Sequence, residues 1–333
     1  MDEFAALRPF GWTDRLAVFA RAGARPGRVV RVDRGLVTVV TTAGTERAVS
    51  PADPIATGDW VLVSDGDESP AVVEILPRTS VFVRGDPMEG VARSAQILAA
   101  NVDTVFVVQS LTNGPNIRRL ERELVLVYDS GAMPLVVLTK ADLAPDTDDA
   151  IAQVHRVAPA VDVLVTAATT GRGIDELRSH ALDGTVALIG ASGVGKSTLV
   201  NALVGEDVQS TGSVREGDQR GRHTTTAREL IPLRGGGVLI DSPGLRGVSL
   251  WDSEEGLSRA FADIEELALE CRFHDCAHRT EPGCAVQRAI ERGELDQARL
   301  DSYLRLDQEV DAATKRLQGR IASKGMRQFY KER

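Results

Sequence analysis

Cysteine is scarce in this chain and confined to one place. All three cysteines fall between positions 271 and 284, which excludes a disulfide framework. No run of 18 apolar residues occurs, so no helix able to span a membrane is expected. The first residues, MDEFAALRPFGW, start acidic and contain no apolar stretch of signal-peptide length. Internal repeats and low-complexity tracts are absent. Net positive charge is lacking too: the formal charge is −9, which argues against indiscriminate nucleic-acid binding. These absences lead to the expectation of a cytoplasmic, reduced protein with no membrane contact; separately, a monomer is expected.

What the chain does contain is more than one core can hold. Its 333 residues exceed the size at which a single core keeps growing, so two or three domains are expected. Hydrophobic residues at 43% and charged residues at 26% are those of an ordinary soluble protein. The charge is unevenly placed. From 314 to 333 there are seven Lys or Arg against the single acid Glu332. Arg21, Arg25, Arg28, Arg31 and Arg34 stand against Asp33 alone. Such patches can neutralise phosphates locally; a solvated surface and a frayed tail are the alternative.

The hydrophobic rhythm divides the chain into three. Residues 28–84 alternate with period two, as in Val30 and Val32 or Val37 and Val39, with turn residues between short runs. Four or five such strands predict a small N-terminal β-barrel of the OB type, within 1–92 together with an N-terminal extension. From about 101, apolar runs alternate with helical stretches at 116–128, 147–157, 173–182 and 196–203. This predicts a doubly wound α/β domain over 93–252, its parallel sheet carrying one antiparallel edge. After 252 the pattern is helical, at 254–270, 285–292 and from 294 towards 321, giving a third domain over 253–333 with a basic tail.

Gly190, Ala191, Ser192, Gly193, Val194, Gly195, Lys196 and Ser197 fit G-x-x-x-x-G-K-[ST] in full, with Thr198 following. Glycines in such a loop let backbone N–H groups and a helix N-terminus face phosphates. Lys196 would bridge the β- and γ-phosphates, and Ser197 would ligate Mg²⁺. Downstream, Asp241 and Gly244 of Asp-Ser-Pro-Gly match a metal- and γ-phosphate-sensing turn. Upstream stand Thr139, Lys140, Ala141 and Asp142, the base-reading segment of a guanine-nucleotide site, followed by Thr166 and Ala167. Asp142 can accept hydrogen bonds from both N–H donor groups of guanine, for which adenine has no counterpart. Thr139 stands where Asn is commoner, so a weaker tether of this loop is expected. The base reader ordinarily follows the phosphate loop; here it precedes it. The order is that of a circularly permuted GTPase.

Leu245 occupies the position of the water-orienting Gln of Ras-like enzymes, so the nucleophile needs another partner. Gly-Arg-His-Thr-Thr-Thr at 221–226 supplies it: His223 to orient water, and one of the threonines, Thr225 being favoured, to complete the Mg²⁺ shell. Cys271, Cys276, His278 and Cys284 place three thiolates and an imidazole within 14 residues. That donor set suits a closed, structural zinc site, with His274 a competing ligand.

Together these motifs make residues 25–310 similar to the RsgA (YjeQ) family of small ribosomal subunit biogenesis GTPases. The resemblance implies GTP hydrolysis stimulated by the small ribosomal subunit, contact with 16S rRNA, and a part in release of a ribosome maturation factor. It also implies His223 as the water-positioning residue and zinc at the cysteine–histidine cluster. The first 25 residues, with Trp12 and a helix expected over 14–22, extend beyond the family's minimal barrel. A nucleotide-regulated RNA-binding module without meaningful turnover is the alternative reading.

Overall fold

The structure is a computed structural model that describes residues 3–51, 53–64, 70–84, 96–144, 146–182, 184–205, 229–241 and 253–331, without the side chains of Asp241 and of residues beyond 315. Five strands form the first unit: β1 (Ala24–Val32), β2 (Leu36–Thr41), β3 (Gly44–Val49), β4 (Trp60–Ser64) and β5 (Val72–Ile75). β1 pairs antiparallel with β2 and β4, β2 with β3, and β4 with β5. A parallel bridge from Val49 to Ala71 joins β3 to the approach of β5, with the Val49 N–H donating to the Pro70 carbonyl at 2.8 Å. The circuit β1-β2-β3-β5-β4 thereby closes as a five-stranded barrel of the OB type.

Alternation along the strands sends Val29, Val37, Val39, Ala48, Val61, Val63 and Val72 to one buried cluster. The opposite face is not left to solvent. Leu7, Trp12 and Leu16 from the N-terminal extension cover Val40, Trp60, Leu62 and Leu76, with Trp12 edge-on to Trp60 at 5.2 Å. The helix expected over 14–22 is a 3₁₀ turn, Asp14–Phe19. The run at 80–83 forms β6 (Val81–Arg84) and leaves the barrel, pairing with β7 (Gln96–Ala100) in a ribbon of its own.

The second sheet runs β10 (Val163–Val165), β9 (Met133–Thr139), β8 (Thr104–Ser110), β11 (Thr185–Gly190), β13 (Val238–Asp241), β12 (Glu229–Pro232). All pairs are parallel except β12–β13. Near-continuous apolar runs suit strands covered on both faces. Val105 and Val107 of β8 face one cluster, shared with α1 (Ile117–Asp129) and α2 (Asp148–Val157). Phe106 and Val108 face the other, shared with α3 (Ile174–Ser179) and α4 (Lys196–Val204). β12 is antiparallel as expected but is no free edge. It pairs with β1 at Glu229 and Arg31, and their side chains form an ion pair at 3.1 Å. The barrel thus continues the sheet and covers the exposed ladder.

Arg28 fills this seam. Its guanidinium donates to the carbonyls of Phe10 and Asn101, each at 3.2 Å, and to the Thr185 hydroxyl at 3.0 Å, and it lies 4.6 Å over the Trp60 ring. Burial lowers its pKa to about 10, opposed by the charges of Asp103 and Asp59, so it remains cationic at neutral pH.

The helical unit consists of α5 (Glu254–Ala260), α6 (Ala262–Ala268), α7 (Ala285–Glu291) and α8 (Gln297–Lys331). The single helix expected over 254–270 is broken at Phe261, whose backbone leaves the helical region (φ −120, ψ 37). The break turns its ring wholly inward, edge-on to Tyr303 and under the guanidinium of Arg299 at 3.9 Å. α5 lies so close to α1 that a Cβ on Gly256 would stand 2.5 Å from the Val125 carbonyl oxygen. Arg299 of α8 donates to Glu121 of α1 at 2.9 Å, to both oxygens of Asp263 and to the Ala260 carbonyl. Arg299 and Glu121 are both buried, at 4% and 2% exposure, so removing one partner strands the other in a low-dielectric interior. Arg299→Ala should therefore cost about 3–5 kcal/mol, read as a lowered thermal midpoint and easier proteolysis of the C-terminal helices. Unchanged unfolding would mean the pair does not hold α8 to α1.

Candidate functional site

The site gathers at the carboxyl ends of β8, β9, β10, β11 and β13, where open α/β sheets hold their ligands. β11 ends at Gly190, whose φ of +144° and close approach to the Val108 carbonyl, 2.4 Å from a built Cβ, admit glycine alone. The loop then turns through Gly193 and Gly195 at φ of +78° and +102° into the N-terminus of α4. Ala191 is half-buried, Ser192 and Gly193 are exposed, Val194 is buried against the sheet, and Ser197 and Thr198 are half-buried in the first turn of α4. The Lys196 ammonium donates to the Gly190 carbonyl at 2.8 Å and to that of Ala191. A helix start of this kind offers free N–H groups and a positive dipole end to an anion.

The segment 139–142 sits against this loop. Thr139 ends β9, and its hydroxyl approaches the carbonyls of Val194 and Gln109. One hydroxyl carries one proton, so the two acceptors share it. Lys140 takes the left-handed conformation (φ 61°), and its ammonium donates to the Gly193 carbonyl at 2.7 Å. The weaker tether expected of threonine at 139 is thus offset by two contacts reaching across to the phosphate loop. Ala141 donates to the Thr166 carbonyl at 3.1 Å, while Thr166 donates through its own N–H to Leu138 at 2.7 Å. Ala167 is buried and its N–H donates to the Arg172 carbonyl at 3.0 Å. The Asp142 carboxylate is exposed and accepts from the Thr169 hydroxyl at 3.0 Å.

Three residues beside this site escaped sequence reasoning: Thr169, Gln109 and Glu123. Gln109 donates to one oxygen of Glu123 at 2.9 Å, and Arg119 donates to the other at 2.7 Å. Burial raises the pKa of Glu123, while Arg119 and, more distantly, Lys196 oppose the shift. No local motif marks these residues; only the turn after β10 places Thr169 within reach of Asp142. His223, Thr225 and Gly244 lie outside the described residues, and Asp241 is placed as the last residue of β13. Among the described residues Ser197, in the first turn of α4, offers an oxygen donor of the kind that suits Mg²⁺.

Between α6 and α7 the ligand atoms of Cys271, Cys276, His278 and Cys284 lie within 4.8 Å of one another. Cys271 Sγ is 3.9 Å from Cys284 Sγ, and His278 Nδ1 is 3.6 and 3.5 Å from those two sulfurs. A tetrahedral zinc ion with ordinary Zn–S and Zn–N bonds needs edges of about 3.8 and 3.6 Å. The geometry fits that ion. The Ala285 and Gln287 N–H groups point at the sulfurs of Cys271 and Cys284, a supporting shell that stabilises thiolates. His278 adopts φ 57°, and burial holds its pKa down, favouring the neutral ring a metal requires. His274, the competing ligand, is not part of the cluster.

Residues 75–251 match the sequence profile of the RsgA GTPase family. An ABC transporter profile matches 181–330, less than half the chain, in a stretch that includes the phosphate loop but not the base-reading segment. The chain is 48% identical to the small ribosomal subunit biogenesis GTPase RsgA of Streptomyces coelicolor, over 99% of this chain and 93% of that protein. It is 45% identical to the protein of the same name from Methanosarcina acetivorans, over 83% and 74% respectively. Among solved structures, YjeQ from Thermotoga maritima is 26% identical and superposes with a TM-score of 0.65, covering 86% of this chain and 98% of its own. YloQ, described as a circularly permuted GTPase, is 26% identical with a TM-score of 0.63, over 88% and 98%.

Proposed function

The chain belongs to the RsgA GTPase family, and on that premise we propose that it binds and hydrolyses GTP during late maturation of the small ribosomal subunit. Its partners in this reading are GTP and GDP, the subunit with its 16S rRNA, and a maturation factor whose release it assists. One observation carries the nucleotide assignment. Thr139 and Lys140 reach across to the carbonyls of Val194 and Gly193, so base reader and phosphate loop act as one site despite their permuted order.

In that site Asp142 accepts from the guanine N–H donors, with Thr169 holding one of its oxygens, and the stem of Lys140 covers the base. The backbone at Thr166 and Ala167 closes over the guanine edge. The N–H groups from Gly190 to Thr198 and the Lys196 ammonium hold the phosphates. Ser197, Thr225 and Asp241 hold Mg²⁺, which when bound neutralises charge developing on the β- and γ-phosphates. Gly244 contributes its N–H to the γ-phosphate, and His223 orients the attacking water. Zinc at Cys271, Cys276, His278 and Cys284 is structural, because four protein ligands leave no position for water. The extents 1–92, 93–252 and 253–333 serve as barrel, GTPase and zinc-bearing domains of a cytoplasmic monomer.

Asp142→Asn tests the base assignment. The amide presents a donor where guanine also presents donors, which should cost about 2–3 kcal/mol of GTP affinity. Xanthine, with a carbonyl in place of the amino group, accepts from that amide, so XTP should become the better ligand in competition. Unaltered preference for GTP over XTP and ATP would remove Asp142 as the base reader.

A further inference from the structure

A cleft of about 500 Å³ opens between α1 and α8, against the start of the phosphate loop. Among the described residues lining it, Arg118, Arg119 and Arg122 come from α1, Arg305 from α8 and Gly190 from the loop, with Glu123 the one carboxylate. In a chain of net charge −9 this is a local reversal of sign. The three α1 arginines stand at helical spacings of three and four, which bring their side chains to one face. Two are engaged: Arg119 with Glu123 and Arg122 with Glu309. Arg118 and Arg305 are exposed, and no carboxylate among the described residues pairs with either; Arg305 donates only to the Ser302 hydroxyl one turn back, at 3.3 Å.

Guanidinium forks converging from two helices suit phosphate oxygens, which they bind bidentately and with charge assistance. The cleft is larger than one phosphate needs, and its arginines come from two helices. We propose that this cleft docks the phosphate backbone of RNA on the ribosomal particle, with Arg118 and Arg305 gripping phosphates from its two walls. The proposal rests on the reading that the chain acts on the small subunit. It adds a surface distinct from the base reader, the catalytic residues and the zinc ligands, lying beside the loop that holds the nucleotide phosphates. Binding there depends on counterion release and is steeply weakened by salt, unlike binding through apolar burial.

The test uses the full chain carrying Arg118→Gln and Arg305→Gln together. Both side chains are exposed and outside the nucleotide site, so folding and turnover without subunits should match the parent. Affinity for purified small subunits and for 16S rRNA is measured across a salt series. Affinity for both should fall about tenfold at low salt. The plot of log affinity against log salt should flatten by about 1.4, near 0.7 for each phosphate that the chain no longer neutralises. Parent-like affinity and slope would overturn the cleft assignment alone. Weaker binding to subunits with unchanged binding to rRNA would overturn it in favour of a protein partner. A parent chain that binds neither would overturn the functional reading beneath it.

Discussion

Chelation of metal from the Cys271, Cys276, His278 and Cys284 cluster should open the loop between α6 and α7 while the α/β sheet stays folded. Structural zinc contributes about 10–16 kcal/mol of apparent binding energy in finger peptides, and this loop has little else to hold it. Phe273 is 40% exposed and Leu269 88% exposed, so apolar burial offers the loop little replacement. The neighbouring helices have their own anchors in Phe261 and in the Arg299–Glu121 pair. One equivalent of zinc per chain is expected by elemental analysis. Cys276→Ser should release it to a chelator and create new cleavage sites between 269 and 284. A metal-free chain with unchanged protease resistance throughout would refute the assignment.

The second large effect separates catalysis from binding. In the proposed role the imidazole acts on water in the transition state, so His223→Ala should lower kcat by about 10²-fold and leave nucleotide affinity nearly intact. The expectation follows from Leu245, an aliphatic side chain where a water-orienting amide would otherwise stand. Lys196→Ala should damage affinity and turnover together, since in the proposed site its ammonium serves ground state and transition state alike. Single-turnover rates beside nucleotide dissociation constants distinguish the two patterns. Normal subunit-stimulated turnover in the His223 variant would assign the water to another group.

The parts of this protein that are legible in its sequence are those whose physics is local. A phosphate loop needs its glycines and its lysine at fixed spacing between a strand and a helix, and 190–197 carries them in one stretch. The metal cluster declares itself because every cysteine in the chain lies within it. Closure of the barrel is less visible, since it depends on one bridge between Val49 and Ala71. Alternation gives strands but not their neighbours, so β6 reads as part of a barrel that it leaves. The break at Phe261 is hidden for a similar reason. Residues 254–270 have helical periodicity throughout, and only the arrival of Tyr303 and Arg299 from α8 makes burial of that ring worth the lost turn. Thr169 and Gln109 belong to the same class, reaching Asp142 and Thr139 by hydrogen bonds across 27 and 30 residues, and Glu123 follows through Gln109. The N-terminal extension reads only as a helix over 14–22, where a shorter 3₁₀ turn forms, and its sequence does not show that it supplies Leu7, Trp12 and Leu16 to the barrel's second apolar face.

In the proposed function a permuted guanine-nucleotide site turns over GTP on the small ribosomal subunit. Its most direct test is steady-state GTP hydrolysis by the full chain with Mg²⁺, with and without stoichiometric purified small subunits, and with ATP as the control nucleotide. Slow GTP turnover by the free chain, rising at least tenfold with subunits, and no comparable ATP turnover are predicted, an acceleration worth about 1.4 kcal/mol or more of barrier. Equal rates with and without subunits, or equal use of ATP, would contradict the account.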